Sequence, residues 1–345
     1  MASDKVFVIA EAGVNHNGDS QLLLSLIDTA ARAGADAVKF QTFTADKLVA
    51  PGAKKAEYQA RETGNGDQHS MLLQLELTDE MHHLALQRCN ELGIEFLSTP
   101  FDEDALDYLI GLGIKRVKVP SGEITNIPYI EYCATKGLPI IISTGMADIG
   151  EVEQAVATVR NAWTRTGHTE APGDLTVLHC TSNYPASADN ANLRAMATIA
   201  EAASVDIGYS DHTEGIAVSV AAAALGAKVI EKHFTLDRTL PGPDHKASLE
   251  PGELDAMVAQ IRTVEQALGR SEKQPNASEL PVREVVRKSV TLNRALAAGE
   301  TVPRDAIVLL RPGNGIRPVD IDRVVGRALR HDLPSHHTLQ WDDFV

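Results

Sequence analysis

Eight short apolar runs, each followed by an amphipathic segment with helical spacing, constrain the fold of this chain more than any other feature. The runs are rich in Val and Ile, which favour strands. They begin at Val6, Ala37, Glu95, Arg116, Pro139, Leu175, Asp206 and Val229. Eight β/α units in succession predict a (β/α)8 barrel, a TIM barrel, because the strands of a doubly wound sheet would rarely number eight.

Polar residues stand at the end of nearly every predicted strand, whereas the strand starts are apolar. The active sites of barrel enzymes are built at the carboxyl ends of the strands. Structural polar residues would scatter instead, so this pattern indicates one functional mouth. We expect the following side chains to converge there: Glu11, Lys39, Gln41, Ser98, Thr99, Lys118, Ser121, Ser143, Thr144, His179, Thr181, Ser210, His212 and His233.

Composition narrows the classes of partner. The formal net charge of −15 over 345 residues argues against nucleic acid and against an anionic membrane surface. The apolar run near the N-terminus is too short for a signal peptide. The three cysteines, Cys89, Cys133 and Cys180, lack metal or disulfide spacing and are interpreted as buried thiols. We therefore expect a cytoplasmic protein.

The chain changes character after the eighth unit. Residues 1–270 are predicted to form the barrel, and 271–284, rich in Pro, Ser and charge, a linker. Residues 285–345 contain short β-prone pieces between Gly and Pro turns, which predicts a small β-rich domain that docks on a partner. The stretch from Thr44 to Leu77 is long for a βα loop and is interpreted as a lid or a subunit contact.

Two histidines end the seventh and eighth predicted strands. Neighbouring parallel strands lie about 4.8 Å apart, so His212 and His233 could reach one ion. The alternative is a pair of hydrogen-bonded core histidines, but their shared position at the mouth favours a metal. Two nitrogens leave positions for water and substrate oxygens, which suits octahedral Mn²⁺ best, with Mg²⁺ or Co²⁺ as alternatives.

Two lysines on the second and fourth strands predict an anion site. Lys39 and Lys118 would point inward beside four hydroxyl groups, and together they suit phosphate or carboxylate. The hydroxyls belong to Thr99, Ser121, Ser143 and Ser210. The alternative is structural pairing of each lysine with Glu11 or Glu123. Both readings are compatible, since those carboxylates could also serve as acid or base.

The eighth run, VIEKHFTL, carries three polar residues in an otherwise apolar strand. Alternate side chains of a strand point to opposite faces, so Glu231 and His233 should face the interior. Lys232 should then point outward with its stem against the helices. In the following loop, Asp244 is either a solvated turn carboxylate or a contact to substrate or metal, and its position favours the second.

Ten motifs, in order, resemble those of the sialic acid synthases. They are EAGVNHNGD, VKFQTF, FLSTPFD, KVPSGE, STGMA, HCTSNYP, GYSDHT, EKHFTLD, GPDHKASLEP and RPGNGI. This family comprises N-acetylneuraminate synthases and their relatives for legionaminate and pseudaminate. The resemblance covers nearly the whole chain and includes a C-terminal antifreeze-like (SAF) domain.

The resemblance implies a role for each matched residue. It implies metal ligation by His212 and His233, and an acid/base role for Glu123. Arg311 matches an arginine that a domain-swapped homodimer delivers to the N-acyl group of the sugar in the other subunit. Sugar-side or catalytic positions are Glu11, Tyr184 and Asp244. Phosphoenolpyruvate contacts are Lys39, Thr99, Lys118, Ser121, Ser143, Ser210 and Ser182, the last standing where the family often has Asn.

Three hypotheses follow from the motifs. The leading one is an N-acetylneuraminate synthase, a transferase that condenses phosphoenolpyruvate with N-acetylmannosamine and releases phosphate. The second is a legionaminate synthase that uses 2,4-diacetamido-2,4,6-trideoxymannose, because KKAEYQ and PGPDHKASLEP fit both branches. The third is a non-catalytic sugar- or ice-binding protein, which has no use for an anion site and a histidine pair at one mouth.

Overall fold

The computed structural model describes residues 5–64, 66–171 and 173–345, without the side chains of Glu57 and Tyr58. The chain divides into two compact units between Gly269 and Arg270. Each unit has a hydrophobic core of its own.

The first unit is built on eight parallel strands, and all eight correspond to the predicted runs. They are β1 (Phe7–Gly13), β2 (Ala37–Thr42), β3 (Glu95–Pro100), β4 (Val117–Val119), β5 (Ile140–Ser143), β6 (Leu175–Cys180), β7 (Asp206–Asp211) and β8 (Val229–His233). The hydrogen-bonded order is β3-β2-β1-β8-β7-β6-β5-β4. The end strands β3 and β4 lie in contact, so the sheet curves into a near-complete barrel.

Helices follow the strands and form the outer layer. The long helices are α1 (Ser20–Arg32), α5 (Asp79–Leu92), α6 (Glu103–Leu112), α7 (Ile127–Thr135), α8 (Ile149–Thr166), α9 (Ala195–Ala203), α10 (Ala217–Ala224) and α11 (Pro251–Leu268). The insertion after β2 contains α2 (Ala45–Leu48), α3 (Glu57–Thr63) and α4 (Gln68–Leu73). In the described part of the chain, no helix is long and apolar enough to cross a bilayer.

Local sequence explains where several helices begin. Asp19, Thr78, Asp102 and Asp148 each precede a helix and accept a backbone N–H from its first turn. Such caps satisfy donors that have no partner within the helix. The caps place the helix starts directly after the loops at the mouth of the barrel.

The interior of the barrel is apolar near the strand starts and polar further along. A small buried cluster fills the lower interior, so the polar side chains beyond it have a solid floor. Its members are Ile9, Ala37, Leu97, Ile141, Leu178 and Val229. The larger core lies between the strands and the helices.

The second unit is small and has little regular structure. It contains α12 (Leu280–Val286) and one antiparallel pair, β9 (Ser289–Leu292) with β10 (Ile307–Leu310). Isolated bridges such as that between Leu296 and Leu333 connect its other segments. This matches the expected small domain with β-prone pieces.

Gly208 on β7 tests how tightly the barrel floor is packed. A Cβ atom there would lie 2.4 Å from Leu178 Cδ2 and 2.5 Å from the backbone oxygen of Val229. We expect Gly208→Ala to lower the free energy of unfolding by about 1–3 kcal/mol, since the backbone atom cannot move aside cheaply. Urea unfolding measures this loss.

Gly111 is the matched control, because a Cβ there meets nothing within 4 Å, and Gly111→Ala should be neutral or stabilising. Equal effects at the two positions would contradict the packing argument.

Candidate active site

A cavity of about 430 Å³ opens at the carboxyl ends of the strands. Every one of the eight strands, or the segment directly after it, contributes a polar side chain to its wall. These are Glu11, Lys39, Gln41, Thr99, Lys118, Ser121, Ser143, Ser182, Ser210, His212, Glu231 and His233. The structure therefore brings together most of the residues that the strand-end pattern placed at one mouth.

Lys39 is held between two buried carboxylates. Its Nζ donates a hydrogen bond to Glu11 Oε1 at 2.5 Å and to Thr99 Oγ1 at 3.0 Å. Glu231 Oε2 lies 3.7 Å from the same nitrogen. Burial lowers the pKa of Lys39, but the two carboxylates outweigh burial and leave this pKa raised. Lys39 is thus charged over the whole physiological range.

The positive charge of Lys118 is less fully compensated by nearby carboxylates than that of Lys39. Its Nζ donates to Ser143 Oγ at 2.6 Å and lies 3.6 Å from Glu231 Oε1. Burial lowers the pKa of Lys118, and the attraction of Glu231 does not restore it. An anion in the cavity would supply the missing compensation, so Lys118 gains more than Lys39 from binding one.

Glu11 is ionised although it is buried. Burial alone would raise its pKa, but His233, Lys39 and Lys118 together hold the pKa well below its ordinary value. Its Oε2 also lies 3.4 Å from His233 Nε2. Glu11 is therefore placed to accept hydrogen bonds rather than to donate them.

Two serines line the cavity because a glycine leaves room for them. A Cβ on Gly145 would lie 2.1 Å from Ser182 Oγ and 2.9 Å from Ser121 Oγ. The Gly145 N–H also donates to Ser121 Oγ at 2.9 Å. The glycine of STGMA thus permits a close approach of three segments that follow β4, β5 and β6.

The two histidines stand side by side at the mouth. Their ring centroids are 5.6 Å apart, and the ring of Tyr184 lies 4.2 Å from that of His212. His212 Nδ1 contacts the backbone oxygen of Thr181 at 2.7 Å, and Nε2 lies 3.5 Å from the hydroxyl of Ser210, another residue of the cavity wall. Burial, with a contribution from His233, lowers the pKa of His212 to about 4, so the ring is neutral at physiological pH.

This donor set fits a divalent cation. The His233 Nδ1 atom is buried and has no hydrogen-bond partner, as expected for a nitrogen that serves as a ligand. The contact between His212 Nδ1 and a backbone oxygen is the arrangement that orients metal-ligating histidines. Within the described ranges, no group of three or more His, Cys, Asp or Glu could hold a metal. An ion here would rest on the two histidines and take its other ligands from water or substrate.

Asp244 belongs to the same wall. It lines the cavity and is 8% exposed. Its Oδ2 and the His233 ring both lie within 4 Å of a Cβ built on Gly13. Burial raises the pKa of Asp244, and the nearby Glu11 carboxylate acts in the same direction. The loop after β8 thus brings a carboxyl group with a weakened preference for ionisation beside the histidines.

Other predicted residues lie elsewhere. Glu123 does not line the cavity, and its Oε2 accepts a hydrogen bond from Asn126 Nδ2 at 2.7 Å. Arg311 is an exposed residue of the second unit. His179 and Thr181 contact backbone oxygens of the segment after β6, so these two strand-end residues are engaged in local structure.

The strand-end pattern missed part of the wall. Gln59, Gln68, Met71, Leu72 and Leu75 line the cavity, and all of them come from the insertion after β2. The length of that insertion was the only signal in the sequence. Glu231 was predicted to face the interior, but its position between the two lysines depends on the register of strands distant in sequence.

The unequal environments of the two lysines generate a stability prediction. Lys39→Met leaves the buried Glu11 carboxylate without its hydrogen-bonded cation and removes one of the two cations near Glu231, so it should cost about 3–5 kcal/mol of unfolding free energy. Lys118→Met should cost less, about 1–3 kcal/mol, because Lys118 is poorly compensated already. Chemical denaturation of the two variants without ligands measures the difference. A larger loss for Lys118→Met would contradict this description of the charge cluster.

Two protein-family profiles match different parts of this chain. The NeuB family profile matches residues 26–273, and the SAF domain profile matches residues 287–345. The N,N'-diacetyllegionaminic acid synthase of Legionella pneumophila is 51% identical over 337 residues, which cover 97% of this chain and 94% of that protein. Human N-acetylneuraminate-9-phosphate synthase is 36% identical, with 96% of this chain and 91% of that protein covered.

The solved structures that are similar in both fold and sequence include a bacterial synthetase. It is the N-acetylneuraminic acid (sialic acid) synthetase of Leptospira borgpetersenii in complex with citrate. The TM-score is 0.70 at 36% identity, and the match covers 81% of this chain and 90% of that one.

Proposed function

Because this chain belongs to the NeuB family of sugar acid synthases and ends in a SAF domain, we propose that it makes a legionaminate-type sugar acid. Its substrates are phosphoenolpyruvate and 2,4-diacetamido-2,4,6-trideoxymannose, and its products are the nine-carbon 2-keto acid and phosphate. The observation that carries the proposal is the position of two buried lysines beside two histidines in one cavity.

The choice of sugar departs from the leading sequence hypothesis. The hypothesis drawn first from the motifs has N-acetylmannosamine as the sugar. The 51% identity to a diacetyllegionaminic acid synthase supports the alternative sugar, 2,4-diacetamido-2,4,6-trideoxymannose. The cavity wall supports the same choice. Met71, Leu72 and Leu75 form an apolar wall against Val14 and Phe43, which suits a C6 methyl group better than a C6 hydroxyl.

Phosphoenolpyruvate binds at the bottom of the cavity in this proposal. Lys118 and Ser143 bind an anionic group, and the hydroxyls of Ser121, Ser182 and Ser210 surround it. The anion restores the preference of Lys118 for its charged form, which burial had weakened. Lys39 supplies a second cation that Glu11 keeps in a fixed position.

The sugar reacts as its open-chain aldehyde above this anion. A divalent ion held by His212 and His233 would act as a Lewis acid on the aldehyde oxygen. C3 of phosphoenolpyruvate forms a bond to the aldehyde carbon, and positive charge develops at C2. Water adds at C2, and cleavage of the C2–O bond releases phosphate.

The carboxyl groups of the cavity accept hydrogen bonds and transfer protons in these steps. Glu11 is ionised and accepts hydrogen bonds from sugar hydroxyls. Asp244, whose pKa burial raises above its ordinary value, is the carboxyl group of the cavity better suited to carry a proton. Glu123, which the family resemblance marks as acid/base, does not line the cavity, although its neighbours Ser121 and Gly122 do.

A sugar comparison tests this proposal. The wild-type chain with Mn²⁺ should release phosphate from phosphoenolpyruvate with 2,4-diacetamido-2,4,6-trideoxymannose. Its kcat/KM should be about tenfold or more above that for N-acetylmannosamine. The two sugars differ at C4 and at C6, and the C6 methyl group alone is worth about 1–3 kcal/mol in an apolar pocket. Excess EDTA should abolish activity, and added Mn²⁺ should restore it. A preference for N-acetylmannosamine would reject the legionaminate assignment, and full activity in EDTA would reject the metal.

Arg311 provides a test of the proposed swapped homodimer. Both Arg311→Ala and His233→Ala homodimers should be inactive, the first for lack of the acyl contact and the second for lack of a metal ligand. If Arg311 acts in the other subunit, a mixed dimer has one intact site, so activity should reappear on subunit exchange. A tag on each chain confirms exchange. Inactive mixed dimers would show that Arg311 acts within its own chain or not at all.

A further inference from the structure

The outer face of β7 and β8 carries a buried ion pair that does not line the cavity. Asp211 and Lys232 are opposite each other in the strand register. Lys232 Nζ lies 3.1 Å from Asp211 Oδ2, and both side chains are 0% exposed. The prediction that Lys232 points to the helix side is correct, but its ammonium group is buried as well as its stem.

This pair fixes the backbone on both sides of His212. Asp211, directly before His212, accepts hydrogen bonds at Oδ1 from the Thr213 backbone N–H at 2.9 Å and from Thr213 Oγ1 at 2.7 Å. Lys232 Nζ donates to the backbone oxygen of Thr213. The residue after His212 is thus held by its N–H, its carbonyl and its side chain.

The same pair connects three elements of the barrel. Ser219 on α10 donates to Asp211 Oδ2 at 2.6 Å. Lys232 lies on β8, directly before His233. Its ammonium group therefore holds the backbone at Thr213, which follows β7. The Asp211–Lys232 ion pair therefore lies directly beside both histidines in the sequence, although the histidine rings project to the opposite side of the sheet.

Stability alone does not explain such a pair. Removal of two charges from water is costly, and well-packed apolar residues at the same place are often as stabilising or more so. Among buried ion pairs, the best-attested benefit is that they fix one arrangement over others. Here the arrangement concerns two rings with centroids 5.6 Å apart.

We propose that Asp211 and Lys232 are positioning residues that fix the separation and orientation of His212 and His233 for a divalent cation. Neither side chain touches substrate or metal. The inference rests on the proposed metal site, and it adds the part of the structure that holds the site in shape.

Lys232→Met in the full-length chain is the main test. Calorimetric titration with Mn²⁺ alone should show about tenfold weaker affinity. This is the lower end of the loss seen when a direct hydrogen-bond partner of a metal ligand is removed, because Lys232 acts on His212 through the backbone of Thr213. The Michaelis constant for phosphoenolpyruvate should change little, because the anion site lies on other side chains.

Arg262→Met is the matched control. Arg262 donates to Asp36 Oδ2 at 2.6 Å and to the Val6 backbone oxygen at 2.8 Å, at the opposite end of the barrel. This variant should lose stability but keep wild-type Mn²⁺ affinity. Equal Mn²⁺ affinity in folded Lys232→Met and wild-type chains would overturn the proposal.

Thr213→Val decides the matter if Lys232→Met does not fold. It removes one hydrogen bond to Asp211 and keeps the backbone contacts, so we expect Mn²⁺ affinity to fall about two- to tenfold. Thr213→Ser, which keeps the hydroxyl, should restore affinity. Wild-type affinity in Thr213→Val would overturn the proposal in the same way.

A crystal structure of either variant separates this inference from the proposed function. If the wild-type chain binds no Mn²⁺, the proposed metal role fails, but the ring separation of His212 and His233 still reports on positioning. We expect this separation to change by about 0.5 Å or more, which is the tolerance of a functional site. An unchanged separation would overturn the inference whatever the metal result.

Discussion

The buried charge cluster of Lys39, Glu11, Glu231 and Lys118 is the constraint on which the rest of the site depends. Each group would be costly to bury alone, so the strands that carry them must keep their relative positions. Parallel pairing in a barrel does this, because β1, β2, β4 and β8 approach one interior. The apolar cluster beneath them fills the interior near the strand starts, so the charged side chains lie towards the mouth.

Successive side chains of β7 and β8 point to opposite faces of the sheet, so each strand carries polar groups on both faces. Their inner faces present Ser210, His212, Glu231 and His233 to the cavity, and the outer faces carry Asp211 and Lys232. Polar groups that interrupt an apolar strand are thus explained on both sides. The inner ones line the cavity, and the outer ones form hydrogen bonds that hold the backbone of Thr213.

The eight strands and their polar ends could be predicted because both are local patterns. A β-rich run followed by a helical segment is recognisable without tertiary contacts, and parallel strands place their carboxyl ends together. Partners across the barrel could not be predicted in this way. The position of Lys118 beside Glu231 rather than Glu123 depends on the strand register and the side-chain directions.

The sequence by itself determined the barrel, the small second domain, the converging polar groups and the family. These follow from periodicity, turn residues and motif order, which are properties of short segments. Only the tertiary structure decided which charges are paired, that Lys118 is left poorly compensated, and that an insertion supplies an apolar wall. The reason is physical: the pKa of a side chain, its burial and its partners depend on groups brought near by folding, and these groups lie far apart along the chain.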